Sequence, residues 1–315
     1  MNQTAQSSIR VFAPATVANV VCGFDVLGFA VNEPGDEIEM TLTDEPGVRL
    51  KEITGDDGIL PMDPLKNTVS AAVIDYLQKT GRPEIGATIS LHKKMPVGSG
   101  LGSSAASTVG GLFAINQLLG TPLSKKELLP FALAGEKLAC GQGHADNVAP
   151  SLLGGFVLIR SYDPLDVIAL PTPQDLVCTL IHPQIEIQTR DARKIIRQQV
   201  LLKDAVTQWG NIAGLVSGLY REDYALISRS MEDVLIEPSR AILIPEFYAL
   251  KEKALQQGAL GFGISGSGPS VFALSQGEAP AQRILESLQQ HLKAVDIDSE
   301  AYISPVNVQG PKILS

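Results

Sequence analysis

Residues 96–107 read PVGSGLGSSAAS, and the segments on either side of this stretch decide the fold. Residues 87–93 alternate apolar and polar side chains as a strand does, and residues 103–119 are rich in alanine and leucine, which is typical of a helix. Glycines allow positive φ angles and a close backbone approach, and the first N–H groups of a helix have no partner within it. The stretch therefore predicts a phosphate site at a helix start. A plain strand-to-helix turn with two capping serines has the same pattern.

The glycine spacing separates this turn from two common phosphate loops. No lysine follows the last glycine, so the stretch is not a Walker A loop. Gly98, Gly100 and Gly102 alternate with other residues, so the stretch does not follow G-x-G-x-x-G either.

The chain has 315 residues, which is enough for about two domains. Residues 161–175 contain three prolines, and we place the boundary there, with an N-terminal domain of residues 1–165 and a C-terminal domain of residues 166–315. Helical patterns in the second half run through residues 191–220 and beyond. Helices and strands mix in both halves without regular βαβ alternation, which predicts an α+β fold class.

Charge and cysteine content exclude several classes of partner. The net charge is −9 and no run of five basic residues occurs, which argues against nucleic acid or an anionic membrane. The three cysteines are far apart, so neither a disulfide framework nor a zinc site is indicated. The first ten residues lack the apolar core of a signal peptide, and no apolar run is long enough to span a membrane. These patterns favour a reducing, cytoplasmic location.

Two further segments of the first half place polar side chains next to glycines. Asn19 and Asp25 lie in the apolar stretch 14–28, where buried polar groups need partners that a polar substrate could supply. Glu136 precedes a loop with His, Asp and Asn, and a carboxylate near a phosphate loop is a natural Mg²⁺ ligand. The alternatives are a turn residue and a cap for the first pair, and a solvated helix charge for Glu136.

The second half contributes two arginines and another glycine-rich segment. Arg193 and Arg240 lie in separate segments, and two converging guanidinium groups suit the carboxylate of an amino-acid substrate. Residues 258–270 contain five glycines, which indicates backbone packed close to a ligand or to another loop. Surface arginines without a role, and a bulged hairpin, are the alternatives.

Taken in order, these segments resemble the signature motifs of the GHMP kinase superfamily, whose P-x-x-x-G-L-G-S-S-A loop matches completely at residues 96–105. Within the superfamily, the chain is similar to the homoserine kinase family along nearly its whole length. The other matching segments are residues 14–28, 136–156, 189–193 and 237–245. The resemblance implies a two-domain GHMP kinase fold, with an N-terminal domain like ribosomal protein S5 domain 2 and a ferredoxin-like C-terminal domain.

The resemblance also implies the activity, the ligands and the site residues. The activity would be ATP-dependent phosphorylation of the L-homoserine hydroxyl to O-phospho-L-homoserine, on the route to threonine, by an enzyme that uses Mg²⁺ and can form a homodimer. The ATP phosphates would be held by Pro96, Val97, Gly98, Ser99, Gly100, Leu101, Gly102, Ser103, Ser104, Ala105 and Ala106. The Mg²⁺ ligands would be Ser104 and Glu136, and the hydroxyl would be oriented by Asn147 and Asn19. L-Homoserine would be bound by Asn19, Asp25, His144, Thr189, Arg193, Arg240 and Gly266.

Asn147 distinguishes branches of the superfamily. Mevalonate and galactose kinases have an acidic residue at this position and often a lysine at the position of Thr16. Because residue 147 is an amide here, we expect no carboxylate base. Phosphoryl transfer can proceed without one, since it depends more on positioning and charge neutralisation than on early proton removal. Val21 and Cys22 replace a glycine and a proline of the family, which alters loop stiffness but removes no ligand. Two alternatives remain: a GHMP kinase for another small carboxylated alcohol, and a non-catalytic regulator with this fold.

Overall fold

The computed structural model describes residues 7–141, 143–185 and 189–314, without the side chains of residues 139, 140 and 189–191. Within these residues, helices pack on two β-sheets. The strands are β1 (Ser8–Ala18), β2 (Leu27–Thr43), β3 (Gly47–Thr54), β4 (Gly86–His92), β5 (Phe156–Tyr162), β6 (Leu165–Leu170), β7 (Leu176–Pro183), β8 (Gly261–Ile264), β9 (Val271–Gln276), β10 (Ser299–Pro305) and β11 (Lys312–Leu314). The helices are α1 (Thr68–Lys79), α2 (Ser103–Leu118), α3 (Lys125–Cys140), α4 (Ala145–Leu153), α5 (Thr189–Lys194), α6 (Leu202–Arg221), α7 (Tyr224–Ser230), α8 (Glu237–Arg240), a 3₁₀ turn (Ala241–Leu243), α9 (Phe247–Gln256) and α10 (Glu278–Ala294).

The first sheet has seven strands, in the order β11-β1-β2-β4-β3, and β5 pairs with both β2 and β6. The β3–β4 pair is parallel and the other pairs are antiparallel. Burial alternates along the start of β1, as expected for a strand with helices on one face only. The sheet therefore presents one apolar face to the helices of the N-terminal half.

Helix α2 lies against this sheet and is buried along most of its length. Its small residues make the close approach possible: a β-carbon on Gly110 would lie 2.1 Å from Ile38 Cδ1, and one on Gly111 would lie 2.6 Å from Val69 Cγ2. The alanine- and glycine-rich composition is thus a packing requirement. Because α2 is fixed to β2 and α1 in this way, the turn before it has a fixed position.

The second sheet is antiparallel, in the order β10-β7-β9-β8. Every residue of β7 is buried, as expected for a central strand covered on both faces. Helix α10 contributes Ile284, Leu288 and Leu292 to a core on this sheet, at the four-residue spacing of one helix face. The mixture of helices and antiparallel strands in both halves confirms the predicted α+β class.

The two sheets are joined closely. The rings of Phe29 and Phe272 meet edge to face with centroids 5.9 Å apart, and the Asn307 N–H donates to the Ala30 carbonyl over 2.8 Å. Strand β6, which begins at residue 165, and strand β11 at the C-terminal end both pair within the first sheet. The division at residue 165 stays a prediction. Among the described parts of the chain, no helix is both long and apolar enough to cross a membrane.

Candidate active site

The turn between β4 and α2 has the backbone that its glycines require. Gly98, Gly100 and Gly102 have φ angles of +74°, +81° and +68°, which side chains other than glycine adopt at a cost. Gly102 is the N-cap of α2, and as a glycine it offers no side chain to cap the first N–H groups of the helix. The predicted order of strand, glycine turn and helix is confirmed.

The C-terminal glycine segment packs directly on this turn. The Ser265 hydroxyl donates to the Gly100 carbonyl over 2.8 Å, and the Ser270 N–H donates to the Ser99 carbonyl over 3.2 Å. A β-carbon on Gly100 would lie 2.4 Å from the Ser265 carbonyl oxygen. The segment forms the β8–β9 hairpin, so the hairpin interpretation and the close-packing interpretation both describe it correctly.

Asn19 connects the first sheet to this hairpin. It has a φ of 72°, its Nδ2 donates to the Gly266 carbonyl over 2.7 Å, and its Oδ1 accepts the Asp25 N–H over 3.0 Å. Asp25, with a φ of 59°, accepts a hydrogen bond from Arg193 NH2 over 2.6 Å. Asn19 and Asp25 are therefore fixed by contacts that join both halves of the chain.

Asn147 lies beside the turn of residues 96–102, which we call the phosphate turn after the sequence prediction. Its Oδ1 accepts a hydrogen bond from the Thr16 hydroxyl over 2.8 Å, so the other polar group of the amide is the Nδ2 donor. A β-carbon on Gly102 would lie 2.9 Å from this Oδ1, so only glycine lets the amide approach so closely. Thr16 thus orients the Asn147 amide.

Glu136 is a buried carboxylate near the helix end. It is 4% exposed, its Oε2 accepts the His144 N–H over 3.3 Å, and the Ser104 hydroxyl also hydrogen-bonds to it. Burial raises the pKa of Glu136 to about 8, the His144 N–H lowers it, and the charge of Asp146 raises it. His144 is the N-cap residue of α4, and burial lowers the pKa of its imidazole. Glu136 and Ser104 are therefore in contact, as a shared metal site requires.

Two arginines converge at the other end of the site. Arg240 is 5% exposed, and its Nε and NH1 donate to the carbonyls of Ala192 and Gly266 over 3.2 and 2.9 Å. The guanidinium carbons of Arg240 and Arg193 lie 5.0 and 5.8 Å from the centroid of the Phe24 ring. Both guanidinium groups therefore lie near the same aromatic ring.

A cavity of about 820 Å³ brings these groups together. The predicted residues that line it are Asn19, Asp25, Gly98, Ser99, Gly100, Gly102, Ser103, Ser104, Glu136, His144, Asn147, Arg193, Arg240 and Gly266. Pro96, Leu101, Ala105 and Ala106 are not among the lining residues, and Leu101, Ala105 and Ala106 are buried in the core. The Thr189 side chain lies outside the described residues.

A second cavity of about 510 Å³ adjoins the first and was not predicted from the sequence. Its apolar walls include Leu60, Pro61, Leu65, Val97 and Leu138, and it shares Gly98, Ser103 and Ser104 with the first cavity. The large side chains of Leu65 and Leu138 are 70% and 65% exposed. Residues 59–65, ILPMDPL, place four large apolar residues around two prolines, and this pattern was the available signal.

Lys93 and Asp36 form a buried ion pair behind the phosphate turn. This ion pair was not predicted from the sequence. The Lys93 ammonium contacts the Asp36 carboxylate and donates to the Ser103 carbonyl and the Ser107 hydroxyl over 3.0 and 2.9 Å. Both side chains are almost completely buried. The pair therefore fixes the first turn of α2 to strands β2 and β4.

Two family models match this chain: that of the GHMP kinases N terminal domain at residues 67–155 and that of the GHMP kinases C terminal at residues 215–294. The fold agrees, since L. major mevalonate kinase in complex with R-mevalonate superimposes with a TM-score of 0.72 over 97% of this chain and 99% of that one, at 16% identity. The fold, the phosphate turn and the two family models together place the chain in the class of GHMP kinases.

More similar proteins narrow the class. Homoserine kinase of Chloroherpeton thalassium is 50% identical over 96% of this chain and 98% of its own, and that of Xylella fastidiosa is 39% identical over 99% and 97%. The crystal structure of homoserine kinase from Cytophaga hutchinsonii is 58% identical, with a TM-score of 0.97 over 100% of this chain and 99% of that one. The chain belongs to the homoserine kinase family.

Proposed function

We propose that this protein transfers the terminal phosphoryl group of ATP to the side-chain hydroxyl of L-homoserine, giving O-phospho-L-homoserine for threonine synthesis. The observation that carries the proposal is one cavity with a phosphate turn at one end and Arg193 and Arg240 at the other. The turn suits the phosphates of a nucleotide, and the arginines suit a carboxylate. The full-length similarity to homoserine kinases supports the same activity.

The two adjoining cavities divide the nucleotide between them. The apolar walls formed by Leu60, Leu65 and Leu138 suit a flat base, and the shared Gly98 and Ser104 lie where the phosphates would pass toward the acceptor. The N–H groups in the first turn of α2 and the positive end of its dipole would hold the phosphate charge. With the nucleotide bound in this way, its terminal phosphate would lie on the side of the shared residues that faces Asn147 in the larger cavity.

The residues at Glu136 fit a magnesium ion. The buried Glu136 carboxylate, with its raised pKa, and the Ser104 hydroxyl beside it offer two hard oxygen ligands, and a bound cation would stabilise the charged form of the carboxylate. Within the described parts of the chain, no cluster of three metal-binding side chains occurs, so the remaining ligands would come from phosphate oxygens and water. When bound, Mg²⁺ neutralises charge on the phosphates. Glu136→Gln should raise the Mg²⁺ concentration needed for half-maximal activity by about tenfold, and an unchanged Mg²⁺ titration would exclude Glu136 as a ligand.

Asn147 and Asn19 would position the acceptor. With its Oδ1 bound by Thr16, the Asn147 amide can donate to the substrate hydroxyl and direct a lone pair of that oxygen at the terminal phosphorus. The new O–P bond forms as the bond to the ADP oxygen breaks, and the hydroxyl proton leaves to a phosphoryl oxygen or to water. Asp25, His144 and the two arginines would hold the amino-acid end, with Thr189 assisting. The neutral amide acts by positioning, because it has no proton-accepting group at pH 7.

The test is ADP release with Mg²⁺-ATP and a panel of alcohols: L-homoserine, D-homoserine, L-threonine, mevalonate, galactose and shikimate. Turnover confined to L-homoserine supports the proposal. Turnover of another alcohol would retain the kinase and reject the assigned substrate. Nucleotide binding without turnover of any alcohol would favour a non-catalytic regulator.

We also propose a homodimer in a reducing cytoplasm. The described cysteines, Cys22 and Cys178, are free and buried, which suits a compartment that keeps thiols reduced. Sedimentation equilibrium should give about twice the chain mass of 33.5 kDa, and a single-chain mass at all concentrations would reject the dimer.

A further inference from the structure

Asp146 is a buried carboxylate with no role in the chemistry described above. It lies in the first turn of α4, is 2% exposed, and lines the larger cavity. Among the residues that the structure describes, no hydrogen-bond donor reaches its Oδ1. A buried acceptor without a donor costs free energy. Its position at a cavity wall suggests that a ligand supplies the donor.

The charges around Asp146 indicate which end of the substrate it faces. Burial and, less strongly, the charge of Asp25 raise the pKa of Asp146 to about 7, while a hydrogen bond from its own backbone N–H and the charges of Arg193 and Arg240 act to lower it. These three charged groups are the ones proposed for the amino-acid end. The Asp146 charge also raises the pKa of Glu136, at the phosphate end, but it affects that pKa less than burial and the His144 N–H do. Asp146 therefore belongs with the amino-acid end more than with the metal site.

A count of charges at this end gives the ligand chemistry. An amino acid brings one carboxylate and one ammonium group to a site with two arginines and Asp25. With Asp146 neutral, the arginines and the ammonium would face only Asp25 and the substrate carboxylate, and one positive charge would be left over. Asp25 already pairs with Arg193, so it is not free to hold an ammonium alone. Lys194 also lines the cavity but is exposed, so solvent screens its charge.

We propose that the Asp146 carboxylate binds the ammonium group of the substrate and selects amino acids over hydroxy acids that lack this group. The inference rests on the proposed function and deepens it. The ammonium would complete the hydrogen bonding of Oδ1 and balance the charge of the filled site. The carboxylate of the substrate would lie on the arginine side, so the two ends of the zwitterion would be distinguished by charge.

The test compares two substrates that differ only in the ammonium group, L-homoserine and 4-hydroxybutanoate. Asp146→Asn keeps the size of the side chain and removes its charge, and Asp146→Ser is a second, smaller variant. Asp75→Asn is the control, since Asp75 lies on α1, pairs with Lys79 and lines neither cavity. The ratio of kcat/KM for the two substrates is taken on the same sample, so it does not depend on how much of a variant is folded.

Asp146→Asn should lower kcat/KM for L-homoserine about 100-fold and leave that for 4-hydroxybutanoate within about threefold. Asp146→Ser should shift the ratio in the same direction, and Asp75→Asn should leave it unchanged. Equal losses on both substrates would overturn the inference, because a purely structural role affects both alike. A changed Mg²⁺ requirement with an unchanged ratio would overturn it in favour of a metal ligand. No turnover of L-homoserine by the unaltered protein would instead reject the proposed function itself.

Discussion

Arg240 is a cation that the fold buries without a carboxylate in hydrogen-bond contact among the described residues. Its bonds to the Ala192 and Gly266 carbonyls hold the guanidinium in place, and the ring of Phe24 lies against it. Because a guanidinium can grip a carboxylate with two parallel hydrogen bonds, the side chain is ready for an anionic group. The burial of the Arg240 guanidinium and of the His182 imidazole each leads to a prediction for a single residue.

Arg240→Leu should raise KM for L-homoserine by about 100-fold, because it removes a charge-assisted contact to the substrate carboxylate. KM for ATP should change by less than about threefold, since the nucleotide binds at the other end of the cavity. Steady-state kinetics with each substrate varied in turn measures both values. Arg221→Leu, at the exposed end of α6, is the control. A similar rise in both KM values would contradict the assigned role.

His182, on β7, should make the free energy of unfolding depend on pH. Burial lowers the pKa of its imidazole, Glu300 raises it, and Nδ1 lies 3.0 Å from the Ser270 hydroxyl. With the folded pKa below the unfolded value of about 6.5, the unfolded chain binds more protons between the two. Stability from this group is therefore complete above about pH 6.5 and falls as the pH drops below it. His182→Asn should make the free energy of unfolding, measured with urea at pH 5 to 7, depend less on pH. If the variant shows the same pH dependence as the unaltered protein, His182 is not the responsible group.

At the scale of elements, the contact between the phosphate turn and the β8–β9 hairpin depends on Gly100. A β-carbon there would meet the carbonyls of Ser265 and Gly268 at 2.4 and 2.9 Å, in addition to the strain of a φ of +81°. Gly98 has a similar φ of +74° but open space around it. The two glycines therefore separate backbone strain from steric contact.

Gly100→Ala should lower the free energy of unfolding by about 3 kcal/mol and raise KM for both substrates, because the hairpin must move away from the turn. Gly98→Ala should cost about 1 kcal/mol, the strain of the left-handed conformation alone. Urea unfolding and steady-state kinetics of both variants provide the comparison. Equal costs at the two positions would show that the hairpin contact contributes nothing.

The same elements show what local sequence could predict. Helix α2 was predicted to within one residue, because its composition and the glycines before and after it are local signals. Residues 191–220 were predicted as continuously helical, which is wrong, since α5 ends at residue 194 and α6 begins at residue 202. No proline or glycine marks this break. The position of α5 is instead set by distant contacts, from Arg193 to Asp25 and from Arg240 to the Ala192 carbonyl.

At the scale of the whole molecule, the site is an arrangement of distant segments. Asn19 bonds to Gly266 and Thr16 bonds to Asn147, across separations of 247 and 131 residues. The sequence motifs identified these residues individually through a family resemblance, but no local pattern contains such pairings. The second cavity was missed for a related reason: Leu65 and Leu138 look like ordinary apolar residues until the fold brings them together. The lack of a donor for Asp146 Oδ1 among the described residues likewise follows from the packing around it.

The C-terminal segment returns to the first sheet and completes it. Strand β11 pairs with β1 through Arg10–Leu314, Val11–Ile313 and Phe12–Lys312, and the Lys312 ammonium lies 5.2 Å from the centroid of the Phe12 ring. Before it, the Asn307 N–H binds the Ala30 carbonyl, so the chain is held before β11 begins. The edge of β1 is therefore covered by the last few residues of the chain, and its exposure can be tested without disturbing the cavity.

Removal of residues 311–315 should lower the free energy of unfolding by about 2–3 kcal/mol, through the loss of β-ladder hydrogen bonds and cation–π contact. The exposed edge of β1 should also promote concentration-dependent association beyond that of the full chain. Below the unfolding temperature, kcat/KM for L-homoserine should stay within about twofold, because β11 lines neither cavity. Lys312→Ala, which keeps the strand, should cost less than about 1 kcal/mol. Calorimetry and light scattering measure both effects, and a truncated chain as stable and as dispersed as the full one would show that β11 leaves the sheet unaffected.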